Sequence, residues 1–158
     1  MKGTYPFMSD DILNAAENMD EYLQSPIDDL YSFYYTMQWA AAFHDQEFTS
    51  KDVPKKLKCL RENLLGTYKD RLYATIEITD PSPLSPLDYG SFLTQCQPVL
   101  RAWYLGLRDI KADWKKCQSK LHGKDFDAKV YISLFWTFAL RGVATLAEVV
   151  YEHTRDME

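Results

Sequence analysis

Histidine, cysteine and acidic side chains could bind a metal or perform catalysis, but their spacing here matches no motif for either. His44, His122 and His153 have no Glu-x-x-His or His-x-x-x-His partner, the spacing that places two ligands on one helix face. No Gly-x-Ser-x-Gly elbow or phosphate-binding glycine loop is present. The three cysteines lack a Cys-x-x-Cys pair, which indicates free thiols in the reducing cytoplasm. The sequence therefore predicts no metal, no cofactor and no enzymatic activity.

Arg141 is the basic residue whose position stands out. It interrupts an apolar segment that comprises residues 130–140 and 142–147, and this segment is expected to form a buried helix. A buried guanidinium needs a carboxylate from another helix, so a paired core ion is the first interpretation, with a side chain that reaches solvent as its variant. The alternative is a ligand-binding arginine in a core pocket, which would make the protein an enzyme.

Acidic residues are concentrated near the N-terminus. Residues 1–47 contain nine acidic side chains and one basic side chain, whereas the net charge of the whole chain is −5. A surface of one sign attracts partners of the other sign and repels nucleic-acid phosphates. This distribution predicts a protein partner with a basic surface and no nucleic acid, although an acidic face can also serve solubility alone.

The leading functional expectation is a small acidic protein that masks such a basic surface. Toxin immunity proteins and inhibitors of defence proteins share this general size and acidity, a likeness of class that no motif supports. Tyr31, Tyr35 and Trp39 are the predicted aromatic anchors of the contact. The acidic residues predicted to bind the partner are Asp10, Glu17, Asp20, Glu21, Asp28 and Asp29.

The main alternative is a helical scaffold or regulatory subunit that self-associates through its aromatic stripes, so a homo-oligomer is compatible with the sequence. A membrane span is not expected, because the uncharged run of residues 130–140 is too short to cross a bilayer. Bridging it to residues 142–147 would place Arg141 near the bilayer centre.

Apolar residues recur at helical spacing throughout the chain, which predicts one all-α domain over residues 1–158. The expected architecture is an antiparallel bundle of five or six helices, with an apolar C-terminal helix at its centre and a proline-rich interhelix loop at 80–86. Residues 72–79 and 130–137 also alternate like strands, so a small hairpin is the competing interpretation. The predicted helices cover approximately residues 10–24, 26–44, 52–76, 88–97, 98–121 and 127–154.

Overall fold

The computed structural model describes residues 7–19, 22–44, 48, 52–121 and 127–155, which form helices and no strand. The predicted all-α class is confirmed, with seven helices in these ranges instead of five or six. The strand interpretation is wrong, because both alternating segments lie inside helices. The helices are α1 (Asp10–Asn18), α2 (Pro26–Ala42), α3 (Lys55–Leu65), α4 (Tyr68–Thr79), α5 (Pro86–Tyr89), α6 (Ser91–Leu121) and α7 (Ala128–Thr154).

Side-chain caps fix where several helices begin. The Ser9 hydroxyl accepts a hydrogen bond from the Ile12 amide at 3.2 Å, which satisfies one free donor at the start of α1. Asp127 does the same for α7, accepting from the backbone of Lys129 at 2.8 Å. Proline at the first position of α2 costs no hydrogen bond there, since that amide has no intrahelical partner.

The predicted helix over residues 52–76 is in fact two helices, α3 and α4, separated at Gly66 and Thr67. The Asp70 carboxylate accepts from the Thr67 amide at 2.8 Å and from its hydroxyl at 2.7 Å, which makes Thr67 a strong start signal. A Cβ at Gly66 would lie 2.7 Å from a carboxylate oxygen of Asp70. The break therefore needs glycine beside the cap.

The proline-rich loop lies where it was predicted, between α4 and α5, except that Pro86 already belongs to α5. Gln97 holds this loop in place: its side-chain oxygen accepts from the Leu84 amide at 2.8 Å, and its nitrogen donates to the Ser82 carbonyl at 3.0 Å. Pro98 neither ends nor starts a helix, since α6 continues through it.

The central helix is α6, which packs against α2, α4, α5 and α7. Gly106 of α6 lies beside Thr145 of α7, and Trp114, later in α6, contacts Phe138, which is earlier in α7. The two helices are therefore antiparallel. Helix α2 is likewise antiparallel to α6, and α2 and α7 therefore run in the same direction. The core residues of α6 include Leu100, Trp103, Leu107, Ile110 and Trp114, each at most 2% exposed.

The prediction that α7 is the central helix of the bundle is wrong. Only Phe138, Gly142 and Val149 are buried among its residues, because α7 rests with one side on α2 and α6 while its other side faces outward. At Gly142 a Cβ would lie 2.2 Å from a methyl carbon of Leu30, so glycine permits the close approach to α2.

Aromatic rings fill the contact between α2 and α6. Tyr34 is fully buried, and its ring centroid lies 5.2 Å from that of Tyr104 and 5.7 Å from that of Trp103. Within the described residues, the Tyr34 hydroxyl and the Trp103 indole nitrogen have no hydrogen-bond partner. Each of these buried polar groups lost its bonds to water on folding without a replacement, which lowers stability.

Replacing Tyr34 with phenylalanine is therefore expected to raise the free energy of unfolding by about 1 kcal/mol, since it removes an unsatisfied buried hydroxyl and keeps the ring. Urea unfolding followed by circular dichroism measures the change. Tyr22→Phe is the matched control and should lower stability, because the Tyr22 hydroxyl donates to Asp28 at 2.8 Å. A less stable Tyr34→Phe protein would show that the Tyr34 hydroxyl is bonded in solution.

Candidate functional site

Two of the acids at the start of α1 pair with bases of this same chain. Asp10 accepts a hydrogen bond from the Arg71 guanidinium of α4 at 2.8 Å, and Arg71 also lies 4.3 Å from the ring centre of Tyr35. Asp11 pairs with Lys111 of α6 at 2.8 Å. Both carboxylates are partly buried, so their charge is largely satisfied within the bundle.

Asp28 was predicted to bind a partner, and this is wrong because its side chain is only 1% exposed. It accepts a hydrogen bond from the Ser9 hydroxyl, and another from the Tyr22 hydroxyl at 2.8 Å. The Ser25 amide donates to it at 2.7 Å. Burial and the Asp28 carboxylate raise the pKa of Tyr22, so this phenol stays protonated and donates. Asp28 therefore joins the starts of α1 and α2.

Little of the predicted acidic face remains available to a partner. Glu17 and Asp29 are exposed, and Asp29 accepts from Gln24 at 3.0 Å. Asp20 and Glu21 lie outside the described residues. The docking of a basic protein stays a prediction, and among the described residues that it named it now rests on Glu17 and Asp29.

The predicted aromatic anchors are mostly core residues. Tyr31 is 5% exposed and Tyr35 is 3% exposed, which corrects the prediction that they contact a partner. Their side of α2 is covered by α6 and α4. Trp39 is half-buried, with its ring stacked on Phe43 at 4.6 Å, so some of its surface is accessible.

Arg141 is not the buried core ion of the first interpretation, but it does pair with a carboxylate from another helix, and its side chain reaches solvent as in the variant. Arg141 lies on the exposed side of α7 and donates to Asp113 of α6 at 2.8 Å, with 46% and 40% of the two side chains exposed. The hydrogen bond from Arg141 lowers the pKa of the Asp113 carboxyl. A pair this accessible contributes little to stability, because water screens it. The buried arginine of this bundle is Arg71, which is 3% exposed.

An apolar surface on α7 is the feature that the sequence interpretation missed. Apolar side chains recur at steps of three and four along its outward side, and no charged residue interrupts them. Trp136, Leu140, Val143 and Tyr151 are each 61–65% exposed. We call this set the α7 outer face: Ile132, Trp136, Leu140, Val143, Ala147, Val150 and Tyr151. The signal was present in the sequence, but a helix that is apolar on all sides does not indicate which side is covered.

A pocket of about 550 Å³ lies beside the C-terminal end of this face, where α2, α6 and α7 meet. Val150 belongs both to the α7 outer face and to the pocket wall. Ala40 and Ala41 of α2 line the pocket with small side chains, and Phe92 forms part of its wall with its ring stacked on His44 at 4.0 Å. Among the described residues, no Asp, Glu, Lys or Arg side chain contributes to the lining.

Among the described residues, the side chains that could bind a metal do not form a cluster. Within the described parts of the chain, no three His, Cys, Asp or Glu side chains cluster as they would around a metal ion. All three cysteines are free, and Cys59 is exposed. The α7 outer face and the adjoining pocket are therefore the principal candidate surfaces. The chain matches no protein-family model, no curated protein and no solved structure.

Proposed function

We propose that this chain is a protein-binding domain that self-associates, with the α7 outer face as the contact between two copies. The observation that carries the proposal is the exposure of a continuous, uncharged apolar face along α7. The α7 outer face exposes an apolar area of about 600 Å² on each copy. Such a patch is at the upper end of what monomeric proteins expose, and two of them approach the area of a small specific interface.

The order of residues along α7 favours a second copy as the occupant. In a two-fold symmetric contact the same face meets itself, and with the symmetry axis perpendicular to α7 the two α7 helices pack antiparallel. One register places Trp136 opposite Ala147 of the second copy, a large side chain against a small one. The same register places Ile132 opposite Tyr151 and Leu140 opposite Val143, so these apolar residues meet in pairs, while Val150 lies opposite Ser133.

A bilayer is the competing occupant, because α7 is long and apolar enough to cross a membrane by length and composition alone. Side-chain contacts nevertheless hold α7 against the bundle: Tyr131 donates to the Gln24 carbonyl at 2.6 Å, and the exposed Arg141 pairs with Asp113 of α6. A helix that lies flat on an anionic membrane needs flanking bases. Here Glu148 and Glu152 are exposed beside the face, which favours protein over lipid.

Leu140→Lys tests the proposal. Leu140 is 65% exposed, so folding should be unchanged, but the dimer would bury two lysines close to its symmetry axis. We expect the dissociation constant of the dimer to rise at least 10-fold, measured by size-exclusion chromatography with light scattering. Leu87→Lys is the matched control, since Leu87 is 88% exposed on α5, away from α7. Equal association of the wild type and both variants would contradict the proposal.

A further inference from the structure

The pocket between α2, α6 and α7 has the properties of a small-molecule site. Its volume of about 550 Å³ lies within the range of roughly 300–1,000 Å³ that accommodates drug-sized ligands. Its walls are mainly apolar, with Met37, Val99 and Leu100 among the lining residues. Since none of the described lining residues is an Asp, Glu, Lys or Arg, these residues would give a charged ligand no counter-ion in exchange for its hydration.

The polar side chains that line this pocket include Gln95, His153 and Thr154. For His153, a hydrogen bond within α7 identifies which ring nitrogen can accept. His153 lies near the end of α7, and its Nδ1 is 2.8 Å from the carbonyl oxygen of Val149. A carbonyl oxygen only accepts, so Nδ1 must carry the proton. In the neutral ring Nε2 then has a free lone pair and acts as an acceptor.

The remaining lining groups fit an uncharged ligand. Burial raises the pKa of the Cys96 thiol, so it stays protonated and serves as apolar surface. The Thr154 hydroxyl donates to the Val150 carbonyl at 2.8 Å, so its proton is already engaged within the helix. The Gln95 amide is exposed and can rotate to donate or to accept. The His153 ring is instead held by its Nδ1 hydrogen bond, so Nε2 is the acceptor with a fixed position in the pocket wall.

We propose that this pocket binds an uncharged, mainly apolar small molecule that carries one hydrogen-bond donor, such as a medium-chain alcohol, with His153 Nε2 as the acceptor of that donor. The inference rests on the pocket and on the histidine, and it holds whether or not the chain self-associates.

A displacement experiment tests the ligand class. The reporter is N-phenyl-1-naphthylamine, an uncharged fluorophore with one N–H group. Its competitors are 1-decanol, 1-methoxynonane, which is similar in size but lacks a donor, and decanoate, which is charged. We expect 1-decanol to compete about 3- to 10-fold more strongly than the ether, the factor that one net hydrogen bond supplies. Decanoate should compete less well than the alcohol. Equal competition by alcohol and ether, or strongest competition by decanoate, would overturn the proposed class.

Variants locate the binding. Ala40→Trp should abolish reporter binding by filling the pocket from an exposed position of α2, while Ala112→Trp, on an exposed position of α6 outside the pocket, should leave it unchanged. His153→Phe should bind the reporter but lose the preference for alcohol over ether. Leu140→Lys should bind as the wild type does, because it alters only the α7 outer face. Unchanged binding in a folded Ala40→Trp protein would show that the reporter binds elsewhere.

Discussion

Asp10→Ala is expected to lower the free energy of unfolding by about 3 kcal/mol, because it leaves the buried Arg71 guanidinium without its carboxylate partner. The two residues join α1 to α4, and Arg71 is 3% exposed. The Tyr35 ring, 4.3 Å away, cannot replace the charge of the Asp10 carboxylate. Urea unfolding with circular dichroism measures the loss.

Asp11→Ala is the matched control for this prediction. Asp11 is the adjacent residue and also forms an ion pair, but its partner Lys111 has 22% of its side chain exposed, so water can solvate the charge that is left. We expect a loss of about 1 kcal/mol or less. Adding Arg71→Met to Asp10→Ala should recover part of the stability, since it removes a buried guanidinium that has lost the Asp10 carboxylate. Equal losses for Asp10→Ala and Asp11→Ala would mean that burial does not set the strength of the first pair.

Asp28→Ala should have a similarly large effect, about 3 kcal/mol. The substitution removes the acceptor shared by Ser9, Tyr22 and Ser25, and it leaves buried donors unsatisfied at the start of two helices. Asp28→Asn should lose less, because an amide oxygen still accepts. The same unfolding measurement applies.

The control for Asp28 is its neighbour Asp29, whose exposed side chain accepts a hydrogen bond from Gln24. Asp29→Ala should change stability by no more than about 0.5 kcal/mol. A stable Asp28→Ala protein would contradict the structural role given to Asp28 and return it to the acids available for a partner. A loss of stability in Asp28→Ala would show that the Asp28 carboxylate stabilises the fold.

Local signals in the sequence predicted the start of α2 well, because a capping serine, a proline and an acid stand together at Ser25, Pro26 and Asp28. They also predicted the loop at 80–86. The start of α4 was missed although Thr67 and Asp70 have capping-box spacing, since the apolar period continues across Gly66 and favours one long helix.

Long-range pairing could not be predicted in the same way. Asp10 and Arg71 are 61 positions apart, and neither has a local signal that identifies the other. Arg141 was expected in the core because its neighbours in the sequence are apolar. Leu140 and Val143, which flank it, belong instead to the α7 outer face and are exposed. The apolar character of α7 was therefore interpreted as burial where the structure has an exposed surface.

Sedimentation velocity of the wild-type protein over protein concentrations from the low micromolar to the high micromolar range tests self-association most directly. An interface of this modest area should have a dissociation constant on the order of 1–100 µM. The account predicts a reversible shift from the 18.4 kDa monomer to a species of twice that mass as concentration rises. A single 18.4 kDa species at every concentration would contradict it.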